Sequence, residues 1–154
     1  MLQIVCALPG DSQTLKEIAI LSKGYWGYSQ ELMAKWAQGP IITPQSIAVA
    51  VVYKGVLESS IVGWYRLWDG SKIALLDDLW ILPDFIRQGI GRSLFEHAAA
   101  QARSAGSFSI ELDSDPHAQA FYERMGCYKV GEKLSDWLRP IPRMRYDLNP
   151  DLAG

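Results

Sequence analysis

The stretch LLDDLWILPDFIRQGIGRSLFEHAAAQAR, residues 75–103, decides the fold. Leu75 to Leu82 is apolar and strand-like apart from two adjacent carboxylates, Asp77 and Asp78, and Pro83 ends the ladder because it has no N–H to donate. A loop follows. Beyond Gly89, Ile90 and Gly91, the residues Leu94, Phe95, Ala98, Ala99 and Ala102 recur at three- and four-residue steps, so a helix starts at or just after the glycines. Glycines at such a turn admit positive φ, and the N–H groups of the first helical turn carry partial positive charge outward. Strand, glycine turn and helix together make a seat for an anion, phosphate above all. The spacing is neither the dinucleotide fingerprint, since position 94 is Leu, nor a Walker A loop, since no Gly-Lys-Ser/Thr follows. The same glycines also fit a plain tight turn.

Working outward, Leu2 to Leu8 is a short strand ended by Pro9-Gly10, and Asp11 and Ser12 offer caps for a helix burying Leu15, Ile18, Ala19 and Ser22. Gly24 and Gly27 break that helix and bracket an aromatic loop of Tyr25, Trp26 and Tyr28. Ser29 caps a second short helix with Leu32, Met33 and Trp36, stopped by Gly39-Pro40. The aromatics fit either core packing under a loop or the wall of a small-molecule site. Ser46 to Tyr53 reads as a buried strand with a turn at Lys54-Gly55, Leu57 to Trp68 as a second strand, and Asp69-Gly70 as the strongest hairpin signal, leading into a third strand from Lys72 to Leu82. After the long helix, Ser107 to Asp113 alternates as a strand. Asp115-Pro116 opens a helix with Ala118, Phe121, Tyr122 and Met125 on one side, and Gly126 ends it. Cys127 to Glu132 is a strand, 133–140 a loop, and Pro142 to Leu148 a last strand. The result is an α/β chain of the α+β, mixed-sheet kind, expected to form one domain over residues 1–154.

Fifteen Lys and Arg against seventeen Asp and Glu give a net charge of −2, so no basic field recommends nucleic acid or an anionic membrane as partner. With 49% hydrophobic and 21% charged residues the composition is globular. Cys6 and Cys127 are too few for a disulfide framework, and His97 and His117 stand apart with no Cys at ligand spacing, so neither a staple nor a metal site is expected. No signal-like segment or long apolar run occurs, and the expected location is the cytoplasm.

Together, LWILPDFIRQGIGRSLFEHA (79–98) and DPHAQAFYERMGCYKVGE (115–132) resemble the GNAT superfamily of acetyl-coenzyme A-dependent N-acetyltransferases, and the order of elements is that family's order. SKGYWGYS and the C-terminal IP with basic residues look like an uncharacterised bacterial subgroup. The resemblance implies a central, mostly antiparallel sheet with a splayed strand pair flanked by helices, acetyl-coenzyme A as co-substrate, no metal, and a homodimer among the assemblies the family allows. The family's turn runs Gln or Arg, two variable residues, Gly, one residue, Gly or Ala. Gly89 and Gly91 match, while Ile86 stands at the first position and Arg87 one place later. By similarity, the N–H groups of Arg87, Gln88, Gly89, Ile90, Gly91 and Arg92 cradle the pyrophosphate. Leu79, Trp80 and Ile81 run beside the pantetheine, with Asp115 and Phe121 also at the cofactor. Asp115 replaces the Asn of many members and equally reads as a helix cap.

The resemblance makes Tyr122 the acid that protonates the departing thiolate. A phenol of pKa ~10 facing a thiol of pKa ~8.5 is protonated at neutral pH and can donate. Asp77 aligns with a strand position where several members carry a catalytic Glu, on the face of Leu79 and Ile81, with bulk water as the other candidate base. Tyr25, Trp26, Tyr28 and Tyr65 are candidates for the wall of the acceptor site, which implies a small amine with an apolar or cationic part. Protein N-acetylation, a non-catalytic acetyl-coenzyme A sensor and a purely structural domain are the competing readings.

Overall fold

The Asp69-Gly70 turn joins its two strands as read from the sequence, with Gly70 at φ 90°, in a computed structural model that describes residues 1–135 and 139–148. The elements are β1 (Gln3–Cys6), α1 (Ser12–Gly24), α2 (Gln30–Ala37), α3 (Pro44–Val49), β2 (Val51–Leu57), β3 (Ser60–Trp68), β4 (Ile73–Ile81), α4 (Ile90–Ser104), β5 (Ser109–Asp113), α5 (Gln119–Met125), β6 (Tyr128–Leu134) and β7 (Pro140–Asp147). Seven strands form one mixed sheet in the order β1-β2-β3-β4-β5-β7-β6, with β4 and β5 parallel. The pairs β1/β2, β5/β7 and β7/β6 are antiparallel.

The chain divides into two compact units, residues 1–66 with 78–95, and residues 67–77 with those from 96 on, so β3 and β4 each pass from one unit into the other. In the first unit, α1 buries Leu15, Ile18, Ala19 and Ser22, the four residues its periodicity singles out. They pack with Ile42, Ile47, Val52 and Trp64, whose indole N–H donates to the Leu15 carbonyl at 2.8 Å. The second unit buries Ala98, Ala99, Ala102, Ile110, Leu112 and Met144. Full burial of each large aliphatic side chain contributes about 1.5–3 kcal/mol. Leu94, Phe95, Ala98, Ala99 and Ala102 are all buried, so the periodicity of α4 is an accurate record of its packed face.

Several boundaries differ from the sequence reading. Residues 46–49, read as the start of a strand, belong instead to α3. Thr43 accepts from the Ser46 N–H at 3.1 Å, Ser46 Oγ accepts from the Thr43 N–H at 2.9 Å, and Pro44 holds the first helical position. A closed capping box outweighs the strand preference of the Ile and Val that follow. The strand therefore starts at Val51 and carries Lys54-Gly55 in its middle, where Gly55 pairs with Ile4. The turn falls instead at Glu58 and Ser59, both left-handed at φ 47° and 70°, the backbone of a two-residue hairpin loop. Gly24 is the last residue of α1, and the chain then turns left-handed at Gly27, φ 86°. Asp11 does not cap α1: its carboxylate accepts from the Leu8 N–H and from Lys54 Nζ, closing a short 3-10 turn over Pro9–Asp11. The loop expected over 133–140 is shorter, because β6 runs to Leu134 and β7 begins at Pro140 rather than Pro142, the two residues pairing directly. Residues 136–138 of that expected loop lie outside the described residues.

Both cysteines are free. Burial pushes the Cys127 thiol up to about 12, whereas Cys6 is exposed. The native protein should therefore give one fast equivalent with an aromatic disulfide reagent and a second only in denaturant, since the thiolate is the reacting species. Two fast equivalents would show that the surroundings of Cys127 open readily.

Candidate active site

In the first unit, the end of β4 leads into the glycine turn. The Leu82 N–H donates to the Val62 carbonyl at 2.9 Å, which ties the strand end to β3, and Pro83–Phe85 makes one 3-10 turn. The backbone then turns left-handed twice, at Arg87 (φ 69°) and Gly89 (φ 82°), before α4 starts. The first intrahelical bond runs from the Ser93 N–H to the Gly89 carbonyl at 3.0 Å, so Gly89 is the N-cap and the N–H groups of Ile90 and Gly91 lie ahead of the helical ladder. Nothing lies within 4 Å of a Cβ built on Gly89, so conformation, not space, requires glycine there. Arg87 holds the same region without that freedom, at a cost of about 1–2 kcal/mol, and such strain is characteristic of ligand loops. An anion at the N-terminus of a fifteen-residue helix fits this arrangement. Gln88 is exposed and turns its amide back to the Asp84 carbonyl at 3.2 Å.

Gly63 of β3 is the feature of this region that pattern reading does not single out. A Cβ there would sit 2.8 Å from the Trp80 carbonyl oxygen, 2.9 Å from Ile81 Cδ1 and 3.1 Å from Leu94 Cδ1. The missing side chain lets β3, the end of β4 and α4 approach one another. Gly63→Val should destabilise by about 1–3 kcal/mol through overpacking. Gly10→Ala, with nothing within 4 Å of the added Cβ, should be close to neutral. Urea unfolding of both variants checks the contrast, and equal stabilities would refute it.

The two carboxylates of β4 part company. Asp78 is buried at 8% exposure. Arg66 Nε donates to its Oδ2 at 2.7 Å and Nη2 lies 2.6 Å away, while the Trp80 indole N–H donates to its Oδ1 at 3.0 Å. Asp77 is exposed, and its Oδ2 accepts from the Trp68 indole N–H at 2.8 Å. In the second unit the β4/β5 ladder covers only Ile73 to Leu75 against Ser109 to Glu111. Beyond it the strands part around a groove of about 210 Å³ lined by Asp77, Glu111, Asp113, Lys133 and Arg143 among others. This is the splayed pair expected from the resemblance.

The four candidate acceptor-site aromatics differ in their surroundings. Tyr25 and Trp26 are exposed and meet edge to face, 5.0 Å between centroids. Tyr65 is fully buried and stacks on Tyr53 at 5.7 Å, which leaves it no surface for a solute. Tyr28 shares a cation with Trp36 and Trp80, and the rings of these two tryptophans lie 5.6 Å apart. Lys23 Nζ sits over all three, 5.0, 5.2 and 6.0 Å from the Tyr28, Trp36 and Trp80 centroids. Trp36 carries no sequence signal beyond a helical apolar position.

In the second unit, Asp115 does cap: its Oδ1 accepts from the His117 N–H at 2.8 Å, and His117 Nδ1 lies 2.8 Å from the same oxygen. Pro116–Ala118 forms a 3-10 turn that passes into α5. Tyr122 is 8% exposed, its ring edge-on to Phe121 at 5.1 Å. Gly126, at φ 105°, ends the helix, with the Gly126 and Cys127 N–H groups donating to the Glu123 and Tyr122 carbonyls. Among the described residues, no group of three or more His, Cys, Asp or Glu is placed to hold a metal ion, and no helix is long and apolar enough to cross a membrane.

Comparison with known proteins matches this architecture. The model of the acetyltransferase (GNAT) domain matches residues 45–126. An uncharacterised N-acetyltransferase of Pyropia yezoensis is 28% identical over 101 residues, 61% of this chain and 58% of its own length. One from Methanocaldococcus jannaschii is 29% identical over 84 residues, 53% of this chain and 37% of its own length. The match thus spans about half the length of these curated relatives. The crystal structure of the PaiA N-acetyltransferase of Thermoplasma acidophilum in complex with coenzyme A superposes with a TM-score of 0.80 at 19% identity, over 96% of this chain and 99% of that one. The matched stretch takes in the glycine turn, both β4 carboxylates and Tyr122, and the chain belongs to the GNAT acetyltransferase domain family.

Proposed function

We propose that the chain moves an acetyl group from acetyl-coenzyme A to a primary amine of a small molecule. One observation carries this reading. The stretch matched by the family, residues 45–126, contains both the doubly left-handed loop that ends at the start of α4 and the buried Tyr122. In this reading the N–H groups from Arg87 to Arg92 hold the pyrophosphate, and the backbone of Leu79 to Ile81 runs along the pantetheine, with an N–H near Trp80 or Ile81 facing the thioester oxygen as it becomes an oxyanion. The neutral amine nitrogen attacks the carbonyl carbon, the C–S bond breaks, and the Tyr122 hydroxyl gives its proton to the sulfur. The attacking nitrogen loses its proton to water, or through water to Asp77, whose carboxylate is solvent-facing and oriented by Trp68. Asp78 is excluded from that role, since both its oxygens are engaged by Arg66 and Trp80.

Thiol release from acetyl-coenzyme A over a panel of small primary amines tests the reading. The expected result is release that saturates in at least one amine. Tight acetyl-coenzyme A binding without amine-dependent release would support the non-catalytic sensor instead.

A further inference from the structure

The groove where β4 and β5 part is built within the second unit, and its two walls differ in charge. On β4, the Asp77 carboxylate is held by the Trp68 indole N–H at 2.8 Å, a neutral donor, and among the described residues it forms no ion pair. The far wall is different. Glu111 is matched one to one, its Oε1 accepting from Arg145 Nη2 at 3.0 Å. Asp113 is shared, since Arg143 Nε donates to its Oδ1 at 3.1 Å and Lys133 Nζ lies 3.4 Å from its Oδ2. Two cations on one carboxylate leave that end of the groove with a surplus positive charge, while the Asp77 end keeps a negative one. Lys133 and Arg143 are both half exposed and within reach of a solute. Asp147, further along β7, takes the Tyr128 hydroxyl at 2.9 Å and does not line the groove. Leu75, half-exposed and two residues from Asp77 on the same face of β4, adds an apolar patch.

We propose that this groove selects a small zwitterion, an amine whose ammonium lies against Asp77 and whose carboxylate lies against Lys133 and Arg143. That the bound amine is then acetylated rests on the transfer reading above; the binding does not. The volume of about 210 Å³ is below the roughly 300–1,000 Å³ of sites for drug-sized ligands, so the occupant is small. One surplus positive charge matches a carboxylate better than a dianionic phosphate, and the arginine fork receives a carboxylate through paired N–H groups. β5 lies between β4 and β7, so the backbones carrying Asp77 and Arg143 stand two strand spacings apart, about 10 Å. Charges at opposite ends of a short chain suit that span better than the adjacent charges of an α-amino acid.

The test compares γ-aminobutyrate with its carboxamide, which lacks the negative charge, and with putrescine, which puts a second ammonium where the acid has its carboxylate. Binding is measured by calorimetry without acetyl-coenzyme A, and thiol release is followed with it. γ-Aminobutyrate should bind about tenfold more tightly than the carboxamide, the order of one charge-assisted hydrogen bond, and putrescine more weakly still. Lys133→Ala combined with Arg143→Gln should make acid and carboxamide bind alike, and Asp77→Asn should weaken both. No binding of the acid, equal binding of acid and carboxamide in the parent protein, tighter binding of putrescine, or a preference that survives the double substitution would overturn the proposal. Binding in the expected order without thiol release would remove the transfer reading and leave the selectivity of the groove standing, whereas thiol release that favours the carboxamide would do the reverse.

Discussion

Asp78→Ala should lower the unfolding free energy by about 3–5 kcal/mol, the range for removing one partner of a buried ion pair. The side chains of Arg66 and Asp78 are 14% and 8% exposed, so the guanidinium left behind is a nearly buried charge without its counter-ion. The Trp80 indole N–H loses its acceptor at the same stroke. Arg66 also donates to the Ile41 carbonyl at 3.0 Å, and Ile41 is a β-branched residue held at φ 41°, a conformation that such residues rarely adopt. The carboxylate thus anchors an arginine that in turn fixes a strained turn ahead of α3. Asp77→Ala removes only an exposed acceptor and should cost well under 1 kcal/mol. Urea unfolding of the two variants measures the contrast, and similar losses would mean that adjacent carboxylates on β4 are not distinguished as described.

Tyr122→Phe should lower kcat by about 10²-fold or more, the usual contribution of a positioned proton donor, with little change in the KM for acetyl-coenzyme A. Phenylalanine keeps the ring buried against Phe121, so the loss falls on the hydroxyl. A companion melting curve close to that of the parent protein separates loss of the proton donor from loss of the fold. Unchanged turnover with several amines would remove Tyr122 from the mechanism.

What could be read in advance follows from whether the cause is local. The β3–β4 hairpin was legible because Asp69-Gly70 supplies its own positive φ, and α4 because its apolar face repeats every three to four residues. The Asp115 cap was equally local, the acceptor lying two residues from its donor. The β2–β3 turn was hidden because Glu58 and Ser59 adopt left-handed backbone without the Asn or Gly that usually marks it. Residues 46–49 read as strand because the weight went to Ile, Val and Ala rather than to the Thr43–Ser46 box. The three rings near Lys23, the Arg66–Asp78 pair and the need for Gly63 are products of the folded chain. Each depends on which residues the strands and helices bring side by side, and no spacing along the sequence encodes that. Arg87 belongs with them: its left-handed backbone is imposed by the loop against the preference of its residue type.

The most direct measurement is calorimetric titration with acetyl-coenzyme A, with desulfo-coenzyme A as a thiol-free control. The account predicts saturable one-to-one binding of both ligands, because the backbone N–H groups of the turn and the strand beside the pantetheine, not the thioester, provide the hold. Absence of heat with either ligand at millimolar concentration would contradict it and leave the glycines of residues 89 and 91 as a structural turn.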